Sequence, residues 1–370
     1  MSSEKRHSNE NFGKSCRNGT FAPGETLPPV TQLAQQYRLS VAVVRQALQP
    51  LMAEGILYTI PRVGTFVGRP MNGMREFYLL VVPREPSPGE YLAQIQIGFE
   101  DRIAGLGGAS LVMEQTKVQG FGHRDDLPTL AGLFNFAQDV EAEEMWTRQS
   151  GTALVQFAAT HEQKTICDTV AFDDVEGGRQ ATRHLLSLGH RQIAFMGLHG
   201  KTESPLFFGW SFERARGWQQ EMQQAGCSSD GMLFQPDSEP DPCEQRKATQ
   251  NITGILLRRA EITAVVTAND ATALGLFAAL EAQSVPSARW PAIVSFDDAL
   301  SRAGYIVTSM RLPWEEVGVT AADLLWERWH GRLNGPPIHR KVPMRLIPRL
   351  TSSAHWSLMA GPGVLSSIEG

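Results

Sequence analysis

The chain has 370 residues and a net charge of −5, with 42% hydrophobic and 20% charged side chains, so it has room for roughly two or three domains with self-sufficient cores. Cys16, Cys167, Cys227 and Cys243 lie far apart, with no CxxC pair and no His/Cys cluster of ligand spacing, which argues for a reducing cytoplasm, no structural metal and no disulfide framework. MSSEKRHSNENF lacks an apolar core of signal-peptide length and no later run is long enough to span a bilayer, so a secreted protein or a membrane partner is disfavoured.

Charge is divided unevenly. Residues 1–70 hold eight Lys and Arg against four Glu, a net +4, which leaves −9 for the remainder. A small basic head on an acidic body suits nucleic-acid contact through the head alone.

Residues 1–20 are polar and read as mostly irregular. After them Val30, Leu33, Ala34 and Tyr37 mark a short helix, and Ser40 is placed to cap a second whose apolar face is Val44, Ala47, Leu48 and Leu51. Gly55 ends that helix, and residues 56–60 followed by Gly64–Val67 predict a two-stranded ribbon. Helix, turn, helix and ribbon make a winged helix-turn-helix. Four stretches in register, PGETLP (23–28), Ser40/Arg45 with Ala47 and Leu48, AEGIL (53–57) and GTFV (64–67), resemble the GntR family. The resemblance implies a second helix in the major groove and a wing near the minor groove. Ser40, Val41, Val43 and Arg45, with Arg62, Gly64 and Thr65 of the wing, would then face a double-stranded DNA operator. An arginine such as Arg45 can pair bidentately with guanine O6 and N7.

Three departures alter that picture. The family usually has Arg directly after the cap Ser and Thr two positions on; Val41 and Val43 stand there and offer only apolar contact, as to a thymine methyl. Arg62 replaces the first Gly of the wing and is placed to reach phosphate. Pro50 falls inside the second helix, where the lost N–H bond costs on the order of 3 kcal/mol unless the helix bends or ends.

Residues 68–76 have linker composition. An α/β body follows. Residues 77–82 predict its first strand, Leu92, Ile95, Phe99 and Ile103 a helix, and residues 110–114, 130–136 and 153–157 further strands. The clearest unit enters at Val170, turns at Asp173, Asp174, Gly177 and Gly178, and runs as a helix through Ala181, Leu185, Leu186 and Leu188. It stops at Gly189, which supplies a positive φ, and returns as a strand at residues 193–196, with His190 and Arg191 beside the negative end of the helix dipole. Residues 235–248 read as a loop into a helix at 249–259. Residues 262–267 predict a strand with ANDATALG at its carboxyl end, where open α/β sheets bind ligands. Asp270 reads as the cap of the next helix, and IVSFDD (293–298) repeats the geometry.

The run HLLSLGHRQIAF (184–195) resembles the LacI/GalR effector-binding domain, a relative of periplasmic sugar-binding proteins. That resemblance implies two lobes joined by crossings near Phe172, Arg311 and Leu346. It also implies that Arg214, in a match to R-x-x-G-F with Gly217 and Trp218, reaches into the ligand cleft. Asn269 resembles the family's ligand-facing Asn, and Asp297 the acid that accepts from sugar hydroxyls. Tyr91 and Trp314 fall where aromatics often stand against the ligand. A further family carboxylate aligns with Phe157, so one edge of the site should be apolar and the effector a smaller or less oxygenated carbohydrate.

The expected fold is thus α/β: a two-lobed periplasmic-binding-protein-like body with an N-terminal winged helix-turn-helix domain. The expected bounds are 1–67 for the DNA-binding domain, 68–76 for the linker, 77–356 for the effector and dimerisation domain, and 357–370 for a tail. The combination resembles arabinose repressors with GntR-type heads. The expected function is transcriptional repression by a cytoplasmic homodimer on a near-palindromic operator, controlled by a small effector and needing no cofactor. Two other classes remain open at this point. One is a ligand-binding cytoplasmic protein with a degenerate head, motivated by Val41, Val43 and Pro50. The other is an enzyme, for which His184 and His190 are the candidates, but they lie in a helix and its cap without a nucleophile or metal constellation.

Overall fold

In the head, apolar residues three and four apart on two short helices close over a small ribbon. Its elements are β1 (Thr26–Leu27), α1 (Val30–Gln36), α2 (Val41–Ala53), β2 (Leu57–Ile60) and β3 (Gly64–Val67). The structure is a computed structural model that describes residues 26–37, 39–53, 57–60, 64–67, 76–83, 90–115, 129–137, 152–157, 167–200, 209–238, 241–303 and 306–353. Leu27, Leu33, Val44, Leu48, Leu51 and Leu57 bury one another, as amphipathic helices crossing a ribbon require. Ser40 Oγ accepts the Val43 amide at 3.3 Å and so caps α2. That helix continues through Pro50 to Ala53. The sheet has three strands in the order β1-β3-β2, with Thr26 opposite Phe66 and Leu27 opposite Thr65. The sequence gives no sign of β1, because a two-residue strand has no periodicity to read.

The first lobe contains β4 (Glu76–Val82), α3 (Glu90–Gly105), β5 (Ser110–Glu114), β6 (Thr129–Asn135), β7 (Ala153–Phe157) and β8 (Asp168–Phe172). The second contains α4 (Asp174–Ser187), β9 (Ile193–Met196), β10 (His199–Gly200), α5 (Gly209–Gln224), β11 (Leu233–Phe234), β12 (Asp237–Ser238), α6 (Pro242–Leu257), β13 (Ala264–Thr267), α7 (Asp270–Ala282), β14 (Ala292–Asp297) and β15 (Thr308–Arg311). α8 (Trp314–Trp329) and β16 (His339–Val342) return to the first lobe, and β17 (Arg345–Ile347) goes back to the second. The sheet orders are β16-β8-β7-β6-β4-β5 and β11-β9-β13-β14-β15-β17. Every pairing in them is parallel except β15 with β17. Strands such as β8, β9 and β13 are buried along their whole length, as parallel strands covered on both faces must be.

The chain changes lobe at Phe172 to Asp174, Arg311 to Trp314 and Val342 to Arg345, so Leu346 already lies in β17 opposite Met310. In each case it leaves at a strand's carboxyl end. β17 is antiparallel to β15 and therefore begins at the carboxyl end of β15. Links this short hold the carboxyl ends of the two sheets against each other.

In each lobe two helices cross with their backbones in contact. A Cβ on Gly98 of α3 would lie 2.1 Å from the Glu315 carbonyl oxygen of α8, and one on Gly318 of α8 2.2 Å from that of Ile95. The second lobe repeats this: a Cβ on Gly178 of α4 would lie 2.1 Å from the Arg214 carbonyl oxygen of α5, and one on Gly217 2.0 Å from that of Val175.

Two expectations need correction. Residues 242–248 are helical rather than loop. Asp241 accepts the Cys243 and Glu244 amides at 2.8 and 3.0 Å, and Pro242, with its φ preset, starts α6. The cap of α7 is Asn269 and not Asp270: Asn269 Oδ1 accepts the Thr272 amide at 2.9 Å and its hydroxyl at 2.7 Å. Gly189 ends α4 with φ of +94°. Among the described residues no helix is long and apolar enough to cross a membrane. The segments 1–20, 68–75, 116–128 and 357–370 lie outside the described residues.

Candidate functional site

The carboxyl ends of the second lobe's strands carry a buried polar set. The glycine crossing of α4 and α5 sets Arg214 beside the first turn of α4, where Arg214 Nε donates to Asp174 Oδ1 at 2.7 Å. Arg214 Nη1 donates to the Ala268 carbonyl at 2.5 Å and lies 3.8 Å from Asp297 Oδ1. The guanidinium rests over Phe296 and Trp210, 4.3 and 4.6 Å from the ring centroids, where a cation meets the negative face of an aromatic ring. Arg214 is only 3% exposed. Its fork is thus held in place by three elements before any ligand arrives.

Asp297 and Asp298 follow each other at the end of β14 with φ of +89° and +63°. Two consecutive non-glycine residues in the left-handed region are strained, and such strain gathers at functional sites. Asp298 is fixed by Arg311 and Arg349, at 2.6 and 2.5 Å. Asp297 keeps part of its surface open and faces Arg214. Asp270 accepts from the Ser295 hydroxyl at 3.0 Å and from the Ala299 and Leu300 amides at 2.8 and 3.0 Å, which ties the start of α7 to the loop after β14.

Asp174 and Asp297 share one arginine, and Asp270 lies beside Asp297, which leaves negative charge short of partners. Burial pushes Asp174 up to about 6 against the pull of Arg214. Burial, reinforced by the nearby Asp297 charge, pushes Asp270 up to about 8. Burial raises Asp297 as well, opposed by Arg214. Desolvation is the leading cause at all three.

Asn269 is 9% exposed, and besides capping α7 its Nδ2 donates to Gln245 Oε1 at 2.7 Å. Tyr91 and Trp314 belong to the other lobe and stack on each other with centroids 4.8 Å apart. Phe157 packs beside them, 6.0 Å from Trp314. Asp174, Trp210 and Phe296 complete the surroundings of Arg214 and are absent from the residues singled out in the sequence for ligand contact. The acidic pair 173–174 after an apolar run was the available signal for Asp174; nothing local marks Trp210 or Phe296.

His184 and His190 are held toward the neutral form by burial, with His184 adding repulsion at His190, and each bonds a hydroxyl, of Ser352 at 2.8 Å and Thr263 at 2.9 Å. Both influences favour the neutral ring at His190, against a charge at the end of the α4 dipole.

In the head, Arg45 is exposed on α2, whereas Val41 and Val43 are partly buried against the head's own core. Ser40 spends its hydroxyl on the cap. Gly64 and Thr65 lie in β3 opposite Ile60 and Thr59, and Arg62 lies outside the described residues.

A winged helix-turn-helix joined to a two-lobed α/β body with a polar set between its lobes defines a DNA-binding transcriptional regulator. Residues 14–67 match the bacterial regulatory proteins of the gntR family and residues 182–352 the periplasmic binding protein-like domain. It is 28% identical to the arabinose metabolism transcriptional repressor of Geobacillus stearothermophilus over 325 residues, which covers 83% of this chain and 86% of the relative. It is 31% identical to the HTH-type transcriptional regulator DegA of Bacillus subtilis (strain 168) over 224 residues, 58% of this chain and 61% of that protein. The solved complex of the transcriptional regulator CelR with cellobiose superposes with a TM-score of 0.57 at 20% identity, covering 87% of this chain and 99% of that one.

Proposed function

We propose that the protein is a repressor that binds a near-palindromic operator as a homodimer and whose operator affinity is set by a carbohydrate held between the lobes. The observation that carries the ligand half is the constrained Arg214 beside Asp297 at the carboxyl ends of the second sheet. The donors that Arg214 keeps beyond Asp174 and Ala268, the second Nδ2 hydrogen of Asn269, and a carboxylate that accepts suit a polyhydroxyl ligand. The arabinose-repressor relative, which aligns over most of both chains, supports the same reading. The working bounds are 1–67 for the head, 68–76 for the linker, 77–356 for the body and 357–370 for the tail, in a cytoplasmic protein without enzymatic activity.

Arg214, Asn269 and Asp297, with Tyr91 and Trp314 opposite, are the proposed ligand contacts. Ser40, Val41, Val43, Arg45, Arg62, Gly64 and Thr65 form the proposed DNA face, with Arg45 as its base reader. The test joins both halves. Operator is selected from random duplex DNA, and its affinity is measured by anisotropy with and without candidate sugars. Arg45→Ala should weaken selected DNA far more than random DNA, and Asp297→Asn should cost on the order of 1–3 kcal/mol of sugar binding with free-protein DNA affinity nearly intact. Equal loss on both DNAs would make Arg45 a phosphate contact. Undiminished sugar binding in the Asp297 variant would place the cleft elsewhere.

A further inference from the structure

Every pairing in the first lobe's sheet is parallel, so the amino ends of its strands lie at one end of the lobe and their carboxyl ends at the other, against the cleft. The head joins this lobe at the amino end of β4, and residues 68–75, which stand between Val67 and Glu76, can span at most about 30 Å. α8 runs back from the cleft to the same end, where residues 330–338 turn the chain into β16. This turn therefore lies on the side of the body from which the DNA-binding head is hung. Residues 328–349 hold six Arg and Lys, two His and no acid, in a part of the chain, residues 71–370, whose net charge is −9.

The turn is firmly held. Gly331, with φ of +65°, ends α8, and the Arg332 and Leu333 amides donate to the Glu327 carbonyl at 2.8 and 3.0 Å. Arg328 donates to both carboxylate oxygens of the buried Asp168 at 2.7 Å, and to the Gly335 and Pro336 carbonyls at 3.0 and 2.8 Å. Asp168 in turn accepts the Ile338 amide at 2.8 Å, and Leu333 and Ile338 pack on the main core. Two arginines are left over. Arg332 in the turn and Arg340 in β16 are exposed, and among the described residues neither side chain has a charged partner. The dipole at the carboxyl end of α8 favours a cation at Arg332, and an open sheet edge favours a charge at Arg340. Neither effect alone accounts for two free arginines at the end of the lobe that carries the head.

We propose that Arg332 and Arg340 contact the phosphate backbone of DNA beside the sequence that the head reads, so that the body forms a second, sequence-independent part of the DNA interface. The planar fork of an arginine suits a phosphate. A backbone already held by Arg328 and Asp168 presents Arg332 without a further cost of ordering the turn. This rests on the DNA reading of the head and extends it to the flanks of the operator.

The test uses the full chain and the selected operator, centred in duplexes of about 20 and 40 base pairs, two and four helical turns. At about 50 mM salt wild type should bind the longer duplex about tenfold more tightly. That gain should vanish when the flanking linkages are uncharged methylphosphonates. Arg332→Gln/Arg340→Gln should lose the same gain. Its affinity for the longer duplex should also fall less steeply between about 50 and 200 mM salt, by about threefold for each contact removed. Arg258→Gln/Arg289→Gln, equal in charge change but placed before β13 and β14 at the amino ends of the second lobe's strands, should behave as wild type. Arg45→Ala should weaken both duplexes alike, which separates head from flank. A gain that survives in the Arg332/Arg340 variant, or that is equally lost in the Arg258/Arg289 variant, would overturn the flank contact and leave the head reading standing. No gain in wild type would also overturn it, and would leave the turn to an acidic protein or to protection of the sheet edge. Failure of wild type to bind any selected duplex would overturn the DNA reading of the head as well.

Discussion

Asp270 stands where a helix cap is expected and works instead as a tether. Its carboxyl draws in Ser295 and the amides of Ala299 and Leu300, and so fixes the loop that carries Asp297 and Asp298. The tether has a pH signature. Asp270 is raised from 3.8 to about 8 by burial and by Asp297, so across that window the folded chain holds a proton that the unfolded chain has released. Its contribution to stability is complete below the lower value and is lost as pH rises through the upper one. Asp174 has the same sign but ends near 6. Denaturation midpoints of wild type should therefore fall between about pH 6 and 8, and in Asp270→Asn that upper part of the decline should flatten while the part below about 6 persists. An unchanged slope above 6 would assign the proton to another group.

Among the elements, the pair α4 and α5 does most to build the polar site. A Cβ at Gly217 would press on the Val175 carbonyl, a backbone atom that cannot swing aside. Gly217→Ala should cost on the order of 1–3 kcal/mol by overpacking and should shift Arg214 relative to Asp174. Urea unfolding checks the first effect and ligand titration the second; an alanine tolerated without loss in either would mean the helices can part freely. In the head, α2 runs past Pro50 to Ala53, so Pro50→Ala restores a missing backbone bond and should stabilise the head by up to about 3 kcal/mol, read as a raised melting temperature. What the sequence made legible follows the same physical line. Elements with strong periodicity or all-apolar strands, such as α2, α4 and β14, could be placed from residues alone. β1 is too short to carry a pattern, and the start of α6 was masked by prolines and charges that serve as its cap and first turn. At the cleft, Arg214 and Asp297 were visible only through resemblance, because a buried arginine and a surface arginine on a helix read alike. The choice between Asn269 and Asp270 as cap turned on one residue of register. The rings of Tyr91, Phe157 and Trp314 come from three separate segments, and no local window contains them.

At the scale of the whole molecule, effector and DNA must influence one another equally. If a ligand changes operator affinity by some factor, operator must change ligand affinity by the same factor. Titrating the effector with and without saturating operator measures both sides of that cycle, and unequal factors would point to a third species, such as a change of oligomeric state. How the lobes are able to move is constrained by the crossings. Between the last strand residue on one side and the first element residue on the other stand only Asp173, then Leu312 and Pro313, then Pro343 and Met344. A proline ring confines φ to a narrow range, Pro313 standing at −84°, and Lys341 Nζ anchors Asp173 Oδ1 at 3.0 Å. Three short tethers between neighbouring strands, two of them stiffened by a proline ring, resist shear and lengthwise separation of the two sheets' carboxyl ends. An effector held between lobes tied in this way would act on their angle more readily than on their spacing, as a hand does on a door.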